Sequence, residues 1–180
     1  ALARTLLPMV ERKGGFFISG KFDQLERNEN YYPIVNAFSE YVNKLSQRDE
    51  ATIEEIKVAI GQLTDTERIL LGMIPALEQF IDRKDCNTDD AKGAGAQKRL
   101  IFAFREFVRS ICSPERPLVL FLDDLQWADP SSLNLLSALV NDTKIQGLMV
   151  LGSCRGNEVS MDHHLAVTLR EMEAESVTIT

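Results

Sequence analysis

The stretch Leu118–Leu122, LVLFL, restricts the fold of this chain more than any other segment. Side chains along a strand alternate between two faces, so an unbroken apolar run needs cover on both. Sheets with one wetted face show polar alternation. Parallel sheets sandwiched between helices do not, and this run reads as one of their central strands. Gly147–Ser153, GLMVLGS, reads as a second buried strand. Phe16–Ser19, FFIS, reads as a short third, and VTIT at 177–180 as a fourth.

Helical stripes separate these runs. Leu2, Leu6, Met9 and Val10 are spaced for a helix over residues 1–13, with Pro8 expected to kink it and Gly14 and Gly15 to stop it. Residues 20–32 are polar and read as a loop. Pro33 suits a first helical turn, and Ile34, Phe38, Tyr41, Val42 and Leu45 follow as one stripe. Thr52 with Glu55 and Thr64 with Glu67 have the spacing of capping boxes. Ile53, Ile56, Ile60 and Leu63 form the stripe after the first of them. Short helices are expected from Thr66 and from Pro75, so residues 33–81 read as a helical insertion between strands.

Residues 82–96 have almost no large apolar side chain and read as a flexible loop. Leu100, Ile101, Phe104, Phe107, Val108 and Ile111 mark a strong amphipathic helix, and SPERP at 113–117 a turn. Asp129 caps a helix opened by Pro130, with Leu133, Leu136, Leu139 and Val140 inward, and His163–Ala174 makes another helix. From Lys98 onward, helix and strand alternate, which is the pattern of an α/β fold with a parallel sheet. With 180 residues, one domain is expected.

Charge and composition narrow the function. Twenty basic against 27 acidic residues leave a net charge of −7, which speaks against general binding of nucleic acid. No run approaches the ~20 apolar residues of a membrane helix. Cys86, Cys112 and Cys154 are far apart and odd in number. They read as reduced thiols of a cytoplasmic protein. His163 and His164 are adjacent and cannot share a helix face as metal ligands would, so they read as helix-start or surface residues.

The chemistry gathers where LVLFL ends in Asp123 and Asp124. In open α/β sheets, ligands bind at the carboxyl ends of strands. Two adjacent acids there repel each other and need a cation, and Mg²⁺ held by a carboxylate and nucleotide phosphates meets that need. This is the layout of a Walker B element. Asp123 would hold Mg²⁺ through water, and Asp124 would orient or deprotonate the attacking water. The plainer alternative is a strand that ends in an acidic turn. A receiver domain also carries paired acids, but it needs a later lysine, and this chain has none beyond Lys144. Arg155 ends the next strand, where a guanidinium could sense a terminal phosphate; the alternative is a solvated arginine. Gly15–Lys21, GFFISGK, fits G-x-x-x-x-G-K, yet its four x positions are the strand itself. Phe22 stands where a P-loop needs a hydroxyl, so the match reads as a decoy.

Four segments together carry a family resemblance: GGFFISGKFDQL at 14–25, YYPIVNAF at 31–38, PLVLFLDDLQWADPSSLNLL at 117–136 and LMVLGSCRGNEV at 148–159. They resemble the AAA-type predicted ATPase domain, an origin-recognition-like AAA domain of the P-loop NTPase superfamily, in the signal-transduction ATPases with numerous domains. The resemblance implies ATP binding and hydrolysis with Mg²⁺ as a molecular switch, beside other domains of a multidomain regulator and with nucleotide-dependent self-association. It makes Asp123 and Asp124 the Walker B pair and Arg155 the sensor-like arginine. Gln126, Trp127 and Asp129 match the pattern without an assigned role.

Family members carry a first strand and a phosphate loop just before a helix like ALARTLL, and this chain begins inside that helix. The sequence therefore reads as a partial domain over 1–180, expected to bind ATP weakly by itself. The family strand order 5-1-4-3-2 assigns strand 2 near Phe16, strand 3 near Leu120, strand 4 near Val150 and strand 5 near Ile179. A degenerate ATPase serving as a protein-interaction scaffold is the alternative function. A DNA-associated ATPase is a third, disfavoured by the charge.

Overall fold

The computed structural model describes residues 5–24, 30–48, 50–61, 67–80 and 95–175. Strands β1 (Phe16–Lys21), β2 (Leu118–Asp123) and β3 (Leu148–Gly152) form a parallel sheet in that spatial order. The register runs Phe16 opposite Leu118 to Lys21 opposite Asp123, and Leu118 opposite Leu148 to Leu122 opposite Gly152. The fold is thus α/β with the parallel sheet the sequence predicts, and its order is that of strands 2, 3 and 4 in the expected scheme. Ile179 and the rest of VTIT lie outside the described residues.

The helices are α1 (Leu7–Arg12), α2 (Tyr32–Leu45), α3 (Glu50–Gly61), α4 (Glu67–Met73), α5 (Ala96–Ile111), α6 (Pro130–Val140) and α7 (His164–Ala174), with a 3-10 turn over Pro75–Gln79. They divide unevenly between the sheet faces. Phe16, Ile18, Leu118, Leu120 and Leu122 pack into one large core with α2 through α7. Phe17 and Val119 point the other way and meet Val10 of α1 in a smaller cluster. Each face of β2 is therefore covered, which is why its sequence shows no polar alternation.

The expected stripes are the buried faces. Ile34, Phe38, Tyr41, Val42 and Leu45 of α2 are buried, as are Phe104, Phe107, Val108 and Ile111 of α5, whose Phe104 and Phe107 meet Phe38 edge to face. Asp129 caps α6 through a 2.9 Å bond from the Ser132 N–H, and His163 caps α7 by accepting from the Leu165 N–H. Gly147 takes φ +83°, and a Cβ there would lie 2.2 Å from the Ser113 carbonyl, so the turn before β3 needs glycine.

Five expectations need correction. Pro8 does not kink α1, because the helix begins at Leu7 and Pro8 falls in its first turn, where no backbone bond is lost. Met9 is exposed, so it is not part of that helix's buried stripe. Thr52 is no N-cap, since α3 already runs from Glu50. β1 does not end at Ser19 but continues through Gly20 and Lys21, paired along the longer β2. β3 is not buried on both faces: Met149 is 49 % exposed, and no strand flanks its outer edge among the described residues. Thr64, Leu63, Leu2 and Cys86 lie outside the described side chains, as does most of the 82–96 loop.

Candidate functional site at the carboxyl ends of the strands

All three strands run the same way, so β1, β2 and β3 deliver their last residues to one edge. Lys21 ends β1 directly opposite Asp123, the last residue of β2. Gly20 lets this end of β1 pass beneath the start of α2, where a Cβ would lie 2.3 Å from the Pro33 carbonyl. Asp123 is half-buried. Its Oδ1 accepts from the Ser153 hydroxyl and, at 3.2 Å, from the Asp124 N–H. Ser153 follows β3 and donates its own N–H to the Leu122 carbonyl at 2.9 Å, so it is fixed by the ladder before it reaches the carboxylate.

Asp124 leaves the strand in the left-handed region, φ 56° and ψ 44°, a conformation that aspartate tolerates better than most residues. Such strain persists where the surroundings hold it, and it clusters at functional sites. Here the surroundings are polar. The side chain is only 12 % exposed and takes cations from both sides: Lys21 Nζ lies 3.4 Å from Oδ2, and Arg155 Nε 3.7 Å from Oδ1. Gln126 Nε2 donates to Oδ1 at 3.1 Å. Gln126 is buried, and its Oε1 accepts from the Arg155 N–H at 3.2 Å. One amide thus ties the turn after β2 to the turn after β3.

Arg155 also donates to Glu158 at 3.1 Å, and its guanidinium lies 5.3 Å from the centre of the Trp127 ring. Trp127 packs against the main core. The arginine is therefore braced by a carboxylate and an aromatic face while more than half of its side chain stays in solvent.

Asp123, Asp124 and Arg155, singled out from the sequence, come together at this edge. Lys21, Gln126 and Ser153 join them; Gln126 matched the family pattern without a role, Lys21 stood only in the decoy, and Ser153 was not singled out. A polar residue immediately after an apolar strand is the signal that could have found Lys21, but it was absorbed into the G-x-x-x-x-G-K decoy. The structure bears out the decoy reading, since residues 16–21 are strand and Phe22 is buried. No group of three or more His, Cys, Asp or Glu side chains gathers to hold a metal among the described residues. Mg²⁺ needs fewer protein ligands than such a group, because it keeps several waters and takes one or two carboxylates together with substrate phosphates.

Residues 1–151 match the family described as AAA ATPase domain. The chain belongs to the AAA ATPase domain family. This AAA ATPase domain is also 33 % identical over 125 residues to the hybrid signal transduction histidine kinase G of Dictyostelium discoideum. The match covers 69 % of this chain but only 4 % of that protein. No solved structure matches. No helix among the described residues is long and apolar enough to cross a membrane.

Proposed function

We propose that this AAA ATPase domain is an ATP-dependent switch inside a larger cytoplasmic signalling protein, binding ATP with Mg²⁺ and hydrolysing it. One observation carries the reading: paired acids at the end of β2 converge with a guanidinium from the turn that follows β3, 3.7 Å from the second acid. In this reading Asp123 faces Mg²⁺ through water, held in orientation by Ser153. Asp124 orients the attacking water or takes its proton. Arg155 contacts the terminal phosphate and stabilises the charge that spreads over it during transfer. Mg²⁺, when bound, offsets the negative charge of the phosphates. The signalling context rests on the match to a histidine kinase, and the partners in this reading are ATP and neighbouring domains of the same polypeptide. Nucleotide-dependent self-association belongs to the same proposal.

The test is made in the intact protein. Asp123→Asn should weaken Mg²⁺-dependent nucleotide binding. Asp124→Asn should bind nucleotide but turn over about a hundredfold or more slowly, the usual weight of a positioned base. Isothermal titration and phosphate release measure both effects. Wild-type turnover in each variant would overturn the assignment.

A further inference from the structure

We propose that Gln126 is the positioning residue of this site: one buried amide orients the Asp124 carboxylate and aims Arg155, so it governs turnover rather than nucleotide affinity. The inference rests on the nucleotide site proposed above and adds the residue that aligns it. Gln126 lies in the 3-10 turn Leu125–Trp127 and is 4 % exposed, a burial that is costly for an amide unless it is bonded. Both of its ends are bonded. Nε2 donates to Asp124 Oδ1 at 3.1 Å, and Oε1 accepts from the Arg155 N–H at 3.2 Å. These partners leave the amide one orientation, because a carboxylate only accepts and a backbone N–H only donates.

Neither partner is placed by the sheet itself. Asp124 follows the last residue of β2, and Arg155 lies three residues beyond Gly152, the last of β3. Backbone contacts bring the two turns together: the Leu125 N–H donates to the Ser153 carbonyl at 2.9 Å, and a Cβ on Gly152 would lie 2.2 Å from Leu125 Cδ1. Those contacts touch neither the Asp124 carboxylate nor Arg155, and Gln126 touches both. Its bond engages Asp124 Oδ1, while Oδ2 faces Lys21 Nζ at 3.4 Å. The Arg155 side chain is 57 % exposed, so its backbone is the part the fold can hold, and the amide holds it there. A carboxylate and a guanidinium that act on one phosphate must be aligned together, and an error of about 1 Å costs on the order of a hundredfold in rate. A misaimed guanidinium still pairs with a bound phosphate but is out of place as the charge spreads, so the loss falls on the transition state.

The test compares the intact wild-type protein with Gln126→Met, Gln126→Asn, Arg155→Ala and the double variant Gln126→Met/Arg155→Ala. Methionine keeps the length and loses both bonds. Asparagine keeps a buried amide that is one methylene too short to span both partners, and it decides the question should the methionine variant not fold. Isothermal titration reads ATPγS affinity in Mg²⁺, and phosphate release reads kcat for ATP. Gln126→Met and Gln126→Asn should each lower kcat about tenfold or more and leave ATPγS affinity within about twofold. Arg155→Ala keeps the backbone N–H that the amide holds but has no guanidinium to aim. Adding Gln126→Met to it should therefore cost clearly less than the same substitution alone. Affinity that falls as far as kcat, wild-type kcat in Gln126→Asn, or an undiminished further loss in the Arg155→Ala background would reduce Gln126 to a structural brace and leave the nucleotide site standing. Failure of the wild type to bind ATPγS would remove both.

Discussion

Asp142 shows how a single residue outside the candidate site holds the domain together. It lies just past α6, is 6 % exposed, and accepts from Arg105 Nε at 2.6 Å, from Arg109 and from the Lys144 N–H at 3.0 Å. Arg105 and Arg109 are one helical turn apart on α5, so one carboxylate joins two elements. Burial by itself would push this carboxyl up, but the bonds from Arg105, Lys144 and Arg109 outweigh it and hold Asp142 below the usual carboxylate range. A depressed folded value means the contribution is complete above the unfolded value of about 3.9 and fades as the solution is acidified through the folded one. Asp142→Asn should therefore cost on the order of 2 kcal/mol at neutral pH, the range for hydrogen bonds to a charged group. It should also flatten the acid limb of stability against pH, as read by urea unfolding. An unchanged acid limb would show that the carboxylate contributes nothing there. No local pattern pointed to this contact, because Asp142 lies 33 residues beyond Arg109.

At the level of elements, β1 poses the sharper problem. Among the described residues it is an edge strand, and its residues alternate between facing β2 and facing outward. Phe16 and Phe22 donate to the Pro117 and Asp123 carbonyls of the β2 side, so the carbonyls of Gly15 and Phe17 point away from the sheet. Lys44 Nζ takes the Phe17 carbonyl at 2.8 Å, and Arg48 takes that of Gly15 at 3.0 Å with its guanidinium 4.5 Å from the Phe16 ring. Two basic side chains from the end of α2 thus cover acceptors that another strand would otherwise pair with. Replacing both by alanine should cost about 1 kcal/mol for each bond and raise light scattering well below the melting temperature. A double variant that melts lower without scattering would limit their role to stability. The helices were legible because their stripes follow a 3.6-residue period over several turns. The end of β1 was not, because Gly20 and Lys21 look like a loop until pairing with β2 extends them.

Across the whole molecule, a buried thiol reports how tightly the layers close. Cys112 ends α5 within the main core, and burial pushes it up to about 12, with the Arg116 charge pulling slightly the other way. Cys154 is exposed near the candidate site. Peptide-mapped alkylation at about pH 8 should therefore modify Cys154 quickly and Cys112 only at the rate of global opening, since the thiolate is the reactive form. Equal rates in native buffer would show a core that opens locally around the end of α5. By itself the sequence determined the α/β class, the parallel character of β2, the helix cap at Asp129 and the edge where Asp123, Asp124 and Arg155 meet. Each of these follows from local rules: strand period, capping chemistry and the common direction of parallel strands. Tertiary structure alone decided which cations reach Asp124. A salt bridge between Lys21 and Asp124 joins residues 103 positions apart, so it depends on strand register and on a left-handed turn that no local pattern announces. The exposure of β3 was decided the same way, because whether an apolar strand is covered depends on its neighbours in space and not on its own residues.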